Sequence, residues 1–391
     1  MGAHVFVVDK FSFPVHRSKG FCGVKNPRHE MTRQGLYADI KAIRKGDLVF
    51  FYHRRVNELP EERGFRGYFK VISDSFFDNT DIEWSENKVL GSCPTCKSCY
   101  SEKEVTCLAC GNKLPLITIG RWQCTTQHIL PNRILIEPVE YFEKPVDDNT
   151  AYLNHTNHGM LWTMLFRKIF GPGRERSIAH ILPEEAEKLI RLVRRINDDS
   201  PTTFPSSPYP STNRQAITVN IGTGGEVPYE SALEAWLMEN IDKEIPVLSE
   251  TIPKQDMEFF GNNILYGIGG DKIDGLVLYK RDIRYKVIAI ELKRGKIGAE
   301  TIKQVDRYSY WIAQLSTANA EPRPKSLLIQ PLVIGYEISR DTLLISERRQ
   351  DKKLTIPYPG EPCEVIIKPP ILLTYEVRNR TIEFRTRRFI V

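Results

Sequence analysis

No stretch of this 391-residue chain approaches the roughly 18 consecutive apolar residues of a membrane span, so no membrane association is expected. No secretory leader is expected either: Met1 to Lys10 reads as a buried strand, with Val5, Phe6, Val7 and Val8 running into Asp9. The segment Gly222-Thr223-Gly224-Gly225 lacks the Lys and Ser/Thr that complete a phosphate-binding loop, which excludes a nucleotide motor of that type. Internal repeats are missing. Excess charge is slight: 55 Lys and Arg against 49 Asp and Glu give +6, which permits a nucleic-acid partner without demanding one. What remains is a cytoplasmic, globular composition, 41% apolar and 27% charged. The length exceeds one ordinary core, so two domains and a small insert are expected.

The boundary is read from proline. Pro201, Pro205, Pro208 and Pro210 crowd a polar segment with no apolar periodicity, marking 198–215 as a stiff, extended linker between regions 1–197 and 216–391. In the first region Lys45-Gly46-Asp47 is a turn signal before a strand, Leu48 to Tyr52. Phe65 to Ser73 and Arg133 to Val139 read as further strands. A helix follows Leu182-Pro183-Glu184-Glu185, with Ala186, Leu189, Ile190 and Val193 at helical spacing. Strands flanked by helices predict a small barrel with decorating helices. The second region predicts a helix over Tyr229 to Asn240, strands over 257–266, 273–279 and 285–292, a helix over 298–314, and strands over 326–335 and 364–375.

Two of those adjacent apolar strands each carry an acid near one end: Asp274, and Glu291 with Lys293 two positions on. Period-two alternation sets Glu291 and Lys293 on one side, and hairpin pairing brings Asp274 to it. Hard oxygen ligands of this kind suit Mg²⁺ or Mn²⁺. Burying unpaired acids inside apolar strands is costly, which favours a functional reading over solvated hairpin decoration. Glu230 and Glu234, four apart on the preceding helix, each offer another carboxylate, and Gln304 lies on the following helix with Arg307 and Tyr308 one turn on. The order helix Glu, strand Asp, strand Glu-x-Lys, helix Gln resembles the PD-(D/E)XK nuclease superfamily over about 228–315, and within it the NucS-type and restriction-like branch. That resemblance implies an α/β mixed sheet flanked by helices. It also implies catalytic roles for Asp274, Glu291, Lys293, Glu230 or Glu234, and Gln304, with Asp274 and Glu291 on the metal.

Cysteine is concentrated: five of eight lie between Cys93 and Cys110. In a cytoplasmic protein such clustering points to metal before disulfides, with reduced surface thiols as the plainer alternative. Cys93 with Cys96 and Cys107 with Cys110 form two Cys-x-x-Cys knuckles able to close a tetrahedral, structural zinc site. The arrangement resembles a short zinc ribbon, an insertion over 91–113. A set using Cys96 and Cys99 stays open.

The remaining N-terminal segments, Gly20 to Val24, Ile43 to Tyr52, Phe65 to Val71, Ile82 to Trp84 and Arg133 to Pro138, run in one order. They resemble the EVE domain of the PUA-like superfamily over about 1–90 and 115–145. Lys45-Gly46-Asp47 and the apolar run after it carry that likeness best. The resemblance implies an α+β domain built on a β-barrel that holds a flipped, often modified, base between aromatic rings. Candidate walls are Phe21, Tyr52, Trp84 and Trp122, although an aromatic on a barrel strand is commonly core. Arg17, Lys19, Lys25 and Arg28, with Arg174 and Arg176 in a later basic loop, are candidate phosphate contacts. His155 and His158 read as a polar loop rather than metal ligands.

These expectations combine into a modification-dependent DNA endonuclease, acting on base-modified DNA, with a homodimer expected in order to cut both strands. Two alternatives are a NucS-like endonuclease for mismatched, branched or single-stranded DNA, and a non-catalytic reader of modified RNA or DNA.

Overall fold

The computed structural model describes residues 2–8, 12–53, 64–80, 89–92, 99–101, 130–153, 177–203, 206–266, 271–319, 324–357 and 362–386. The first region contributes strands β1 (Ala3–Val8), β2 (Phe21–Val24), β3 (Leu48–His53), β4 (Gly64–Val71), β5 (Phe76–Phe77), β6 (Val89–Ser92), β7 (Cys99–Ser101), β8 (Asn132–Val146) and β9 (Ile178–Ile181). Its helices are α1 (Ser12–Lys19), α2 (Glu30–Lys41), α3 (Asp148–Leu153) and α4 (Pro183–Ile196). Among the described residues β10 (Gln215–Ala216), β5, β8, β4, β3, β1 and β9 are hydrogen-bonded in that order, with β2 added beside β8. The expected barrel is therefore seen as one mixed, bent sheet. The bend lies in β8: its start pairs with β2 and β5 and its later part with β4. Register shifts between Phe65 and Gly67, and again between Tyr68 and Phe69, add local twist.

Alternation divides the apolar strands between two faces. Val49 and Phe51 of β3 join one cluster, while Phe50 and Tyr52 join another. Ala186, Leu189, Leu192 and Val193 of α4 cover the second face. Tyr37, Ala38 and Ile40 of α2 cover the first. Gly46 ends the turn before β3 at φ +98°, a conformation that suits glycine.

The second region supplies β11 (Gly224–Gly225), α5 (Glu230–Asn240), α6 (Leu248–Thr251), β12 (Met257–Tyr266), β13 (Asp271–Arg281), β14 (Arg284–Leu292), β15 (Lys296–Ile297), α7 (Ala299–Asn319), β16 (Ser326–Gly335), β17 (Glu337–Ile338), α8 (Arg340–Glu347), β18 (Lys352–Ile356), β19 (Cys363–Ile367), β20 (Ile371–Arg378) and β21 (Thr381–Thr386). Its central order is β11-β20-β16-β14-β13-β12. The pairs β12–β13 and β13–β14 are antiparallel; β14–β16 is parallel, with α7 as the crossover. The strand expected over 364–375 is two strands. Lys368-Pro369-Pro370 interrupts it, because proline cannot donate to a ladder, and both pieces then pair end to end along β16.

Ile302, Val305, Tyr308 and Ile312 of α7 cover one face of this sheet. Leu233, Trp236 and Leu237 of α5 belong to the cluster that also holds α2 and the first sheet. The layers thus run α4, first sheet, α2 with α5, second sheet, α7. Polar contacts reinforce the middle layer: Lys41 to Glu239 at 2.7 Å, and Arg44 Nε and Nη2 to the two Asp242 oxygens at 2.9 and 2.8 Å.

The proline-rich segment is not a free spacer. Thr202 N donates to Tyr141 O at 2.7 Å and Ser207 N to Ser18 O at 2.8 Å, and Gln215 and Ala216 pair with β5. It straps the first sheet.

Candidate functional site

The acidic site grows from the ends of β13 and β14. The antiparallel ladder pairs Gly275 with Ile290, so one step further Asp274 stands opposite Glu291 on the same face. Both side chains point to the face that α7 covers, as do Leu276, Leu278, Val287 and Ala289. Leu292 N donates to Asp274 Oδ2 at 2.7 Å, tying the two strand ends together. Lys293 Nζ donates to Glu291 Oε1. Glu291 is only 1% exposed, and its other oxygen, Oε2, has no hydrogen-bond partner among the described residues.

The electrostatics follow from this crowding. Asp274 keeps some surface, yet its carboxyl is deeply packed. Burial first, then Glu291, Glu234 and Glu230, hold it well above the usual carboxylate range. Burial also raises Glu291, although Lys293 opposes that shift. Burial pulls the Lys293 ammonium down, but Glu291, Glu230 and Asp274 outweigh it and leave Lys293 raised. Two buried acids that resist ionisation, beside one held cation, form a ready receptor for further positive charge.

The helix acids differ. Glu230 acts on Asp274, Glu291 and Lys293, and Glu230 Oε2 accepts from Arg294 N at 3.2 Å. Glu234 is buried and its Oε1 accepts from the amides of Asn262, at 2.6 Å, and Asn263. Asn262 also donates to Asp39 Oδ1 on α2 at 2.9 Å. Gln304 is half-buried on α7. Arg307, exposed one turn on, is close enough to lower Glu291, whereas Tyr308 turns into the core.

Among the described residues no three His, Cys, Asp or Glu form a ready-made metal cluster. A divalent cation here would rest on two strand carboxylates, with waters and a phosphate completing its shell, as is usual for Mg²⁺. The orphaned Glu291 Oε2 and the raised Asp274 carboxyl fit that demand.

The N-terminal candidates separate. Phe21 packs with Val15 beside Tyr209, while Tyr52 is fully buried in another cluster, 4.9 Å from the Phe65 ring. The two do not share a pocket, and Tyr52 is a core residue, because adjacent positions on β3 face opposite sides. Over the Phe21 ring lies the Arg133 guanidinium, at 4.9 Å. Tyr209 stands beside both Phe21 and Phe76, with ring centres 5.7 Å from each. Its hydroxyl donates to Asp78 Oδ2 at 2.7 Å and accepts from Arg133 Nη1 at 2.7 Å. Sequence reasoning missed Tyr209, Asp78 and Arg133 as one group. The only signal was an aromatic between two prolines.

Arg17 stacks on Tyr141 at 5.0 Å and donates to its hydroxyl at 2.8 Å, a packed role rather than an open phosphate contact. Lys19 is half-exposed; Lys25 and Arg28 are exposed. Trp84, Trp122, Arg174, Arg176, His155, His158 and the cysteines Cys93, Cys96, Cys107 and Cys110 lie outside the described residues, and of Cys99 only the backbone is described.

No helix of the described residues is long and apolar enough to cross a membrane. Residues 7–103 match the family model of the EVE domain. No curated protein matches the chain. Two human crystal structures are similar to it: THYN1 protein in complex with 5-methylcytosine-containing DNA, and the DUF55 domain of thymocyte nuclear protein 1. Each is 14% identical, covering 49% of this chain and 98% of its own, with a TM-score of 0.29.

Proposed function

We propose that this chain, which carries an EVE domain at its N-terminus, reads a modified base in DNA and hydrolyses phosphodiesters with its C-terminal region. One observation carries the second half of that reading: Asp274, its carboxyl deeply packed, and the buried Glu291 stand opposite each other on neighbouring strand ends, with Lys293 bonded to Glu291. A purely structural role would hardly keep two like-charged acids together in an apolar sheet, because each must be desolvated against the other. The EVE match supports the first half, and the DNA-bound human structure has the kind of partner expected here.

In this reading Asp274 and Glu291 would hold Mg²⁺ or Mn²⁺, and Glu230 would add to the negative field around them. Bound there, the cation supplies Lewis-acid polarisation of the scissile phosphate. Lys293 orients the attacking water and donates to charge that develops on the phosphate oxygens. Water adds to phosphorus and gives up a proton to solvent, the bond to the leaving sugar oxygen breaks, and that oxygen takes up a proton from solvent. Arg307, exposed on α7, is assigned to the phosphate backbone. Glu234, already held by two asparagines, braces β12 instead. Zinc on the four clustered cysteines is a structural element of the same proposal.

The test is cleavage of one duplex sequence in plain, 5-methylcytosine, 5-hydroxymethylcytosine and mismatched forms, with Mg²⁺. Modified duplex is expected to be cut best, and Lys293→Ala to lose at least about 100-fold in rate while still binding DNA. Preference for the mismatched duplex, or full cleavage by Lys293→Ala, overturns the proposal.

A further inference from the structure

We infer that the recess formed by Phe21, Phe76, Arg133 and Asp78 is a nucleobase site which the chain keeps filled with its own Tyr209, so that a base enters by lifting the strap. The inference rests on the base-reading half of the function proposed above and names both the site and its control.

The first argument is chemical likeness. Tyr209 brings an aromatic ring whose neighbours Phe21 and Phe76 meet it edge to face, at interplanar angles of 67° and 76°. The Arg133 and Arg214 guanidinium groups lie over the same ring at 5.8 and 5.2 Å. Its polar tip meets one acceptor, Asp78, and one donor, Arg133. A nucleobase makes like demands: aromatic neighbours around its ring, a π-face open to a guanidinium, and an edge presenting a donor beside an acceptor.

The second argument is cost. Asp78 and Arg133 are both fully buried beneath Tyr209, 3.7 Å apart. Arg133 is fixed further by Thr80 O at 2.9 Å and Leu130 O at 3.1 Å. Replacing a buried ion pair by apolar side chains is often neutral or stabilising, so stability alone does not call for one at this position. A preorganised donor and acceptor under a displaceable cover is what a recognition site needs.

The third argument is the cover itself. Pro208 and Pro210 flank Tyr209, are exposed, and have no N–H to bond to the sheet. Besides Tyr209 itself, the strap is tied nearby by Ser207 N and Oγ to Ser18 O, by Ser211 Oγ to Thr80 Oγ1 at 3.1 Å and to Asp78, by Asn213 Nδ2 to Asn79 Oδ1, and by Arg214 over Phe76. Flanking prolines keep the segment extended, so it lifts and reseats without a large entropy change.

A site occupied by its own plug binds with its intrinsic affinity reduced by the open fraction. In full-length protein in EDTA, Tyr209→Ala is expected to bind modified duplex about tenfold tighter than wild type, with Tyr209→Phe in between. Duplexes carrying 5-methylcytosine, 5-hydroxymethylcytosine or N6-methyladenine are compared with plain duplex by fluorescence anisotropy. Hydrogen exchange over 206–213 of the wild type is expected to rise when modified duplex binds. If modified duplex is preferred but the strap stays protected and neither variant tightens binding, the plug is refuted and base reading stands. If DNA lifts the strap but no protein distinguishes modified from plain duplex, base reading fails while the plug stands.

Discussion

Replacing Asp274 by asparagine is expected to stabilise the metal-free protein while abolishing cleavage. Asparagine keeps an oxygen to accept from Leu292 N, the 2.7 Å bond that joins the strand ends. What it removes is a negative charge disfavoured by burial and then by Glu291, Glu234 and Glu230. The sign of the pH dependence follows. The folded carboxyl has a raised pKa, whereas the unfolded one ionises near about pH 3.9. Below that pH both states are protonated and the wild type loses nothing. As pH rises the unfolded chain gives up its proton first, so wild-type stability falls until the folded pKa is passed. The variant is spared this loss, and its advantage grows with pH. A poorly compensated buried polar group costs about 1–3 kcal/mol. An advantage of about 2 kcal/mol near pH 8 is therefore expected, or about 2–3 °C in melting temperature, since about 2.1 cal/mol/K per residue makes 1 kcal/mol worth about 1.2 °C in a chain of this length. Mg²⁺ should reverse the order: a cation at 100 times its Kd adds about 2.7 kcal/mol to the wild type, and little to the variant. Thermal melting in EDTA and in Mg²⁺, near pH 5 and near pH 8, reads all four corners. A variant that melts below wild type in EDTA near pH 8, or a gap that ignores pH, refutes the buried-acid reasoning.

Two other outcomes concern the remaining sites. Protein purified in metal-free buffer should carry about one zinc ion per chain, and Cys93→Ser should lose it; elemental analysis decides, and zinc-free wild type rejects the ribbon. Asn262→Leu withdraws a donor from Asp39 at 2.9 Å and from Glu234 at 2.6 Å. Hydrogen bonds to charged groups are worth about 1.5–3 kcal/mol each, so about 3 kcal/mol of destabilisation is expected in urea unfolding. An unchanged midpoint would mean that Asn262 does not brace the junction.

Much of the C-terminal region was legible because its signals are local. Strands over 257–266 and 326–335 agree with β12 and β16 end to end; the second is a largely apolar run, whereas Gly261-Asn262-Asn263 interrupt the first and only its apolar ends mark it. The acid pair was legible for the same reason: alternation alone fixes the face of Glu291 and Lys293, and a short hairpin fixes Asp274 opposite. What escaped was non-local or weakly patterned. Helix α2 carries Gly35, Asp39 and Gln34 among its buried positions, so its apolar stripe is too thin to announce a helix. Besides the first sheet, its burial comes from α5, far on in the sequence, where Lys41 at its end pairs with Glu239, 198 residues away. Phe21 and Tyr52 could not be told apart, because both are aromatic residues on short apolar strands; both are buried, in different clusters. Phe21 lies on β2, which pairs with the start of β8, whereas Tyr52 lies on β3, which pairs with β4.

The same non-locality changes the meaning of the prolines. A stiff, extended segment between two regions reads as a spacer, whose job is distance. Here α2 and α5 pack together, their neighbours share one apolar cluster, and Arg44 spans the junction to grip Asp242 with two nitrogens. Regions joined this way need no spacer to hold them apart or let them search. The chain must still travel from the end of α4 to β11, and it does so across the first sheet, anchored at Thr202, Ser207 and Gln215. Proline suits that path because it stays extended without a partner for the N–H it lacks. Selection on this segment should then act on what it covers rather than on its length. The residue with most to lose is Tyr209, whose hydroxyl joins the two buried charges beneath it.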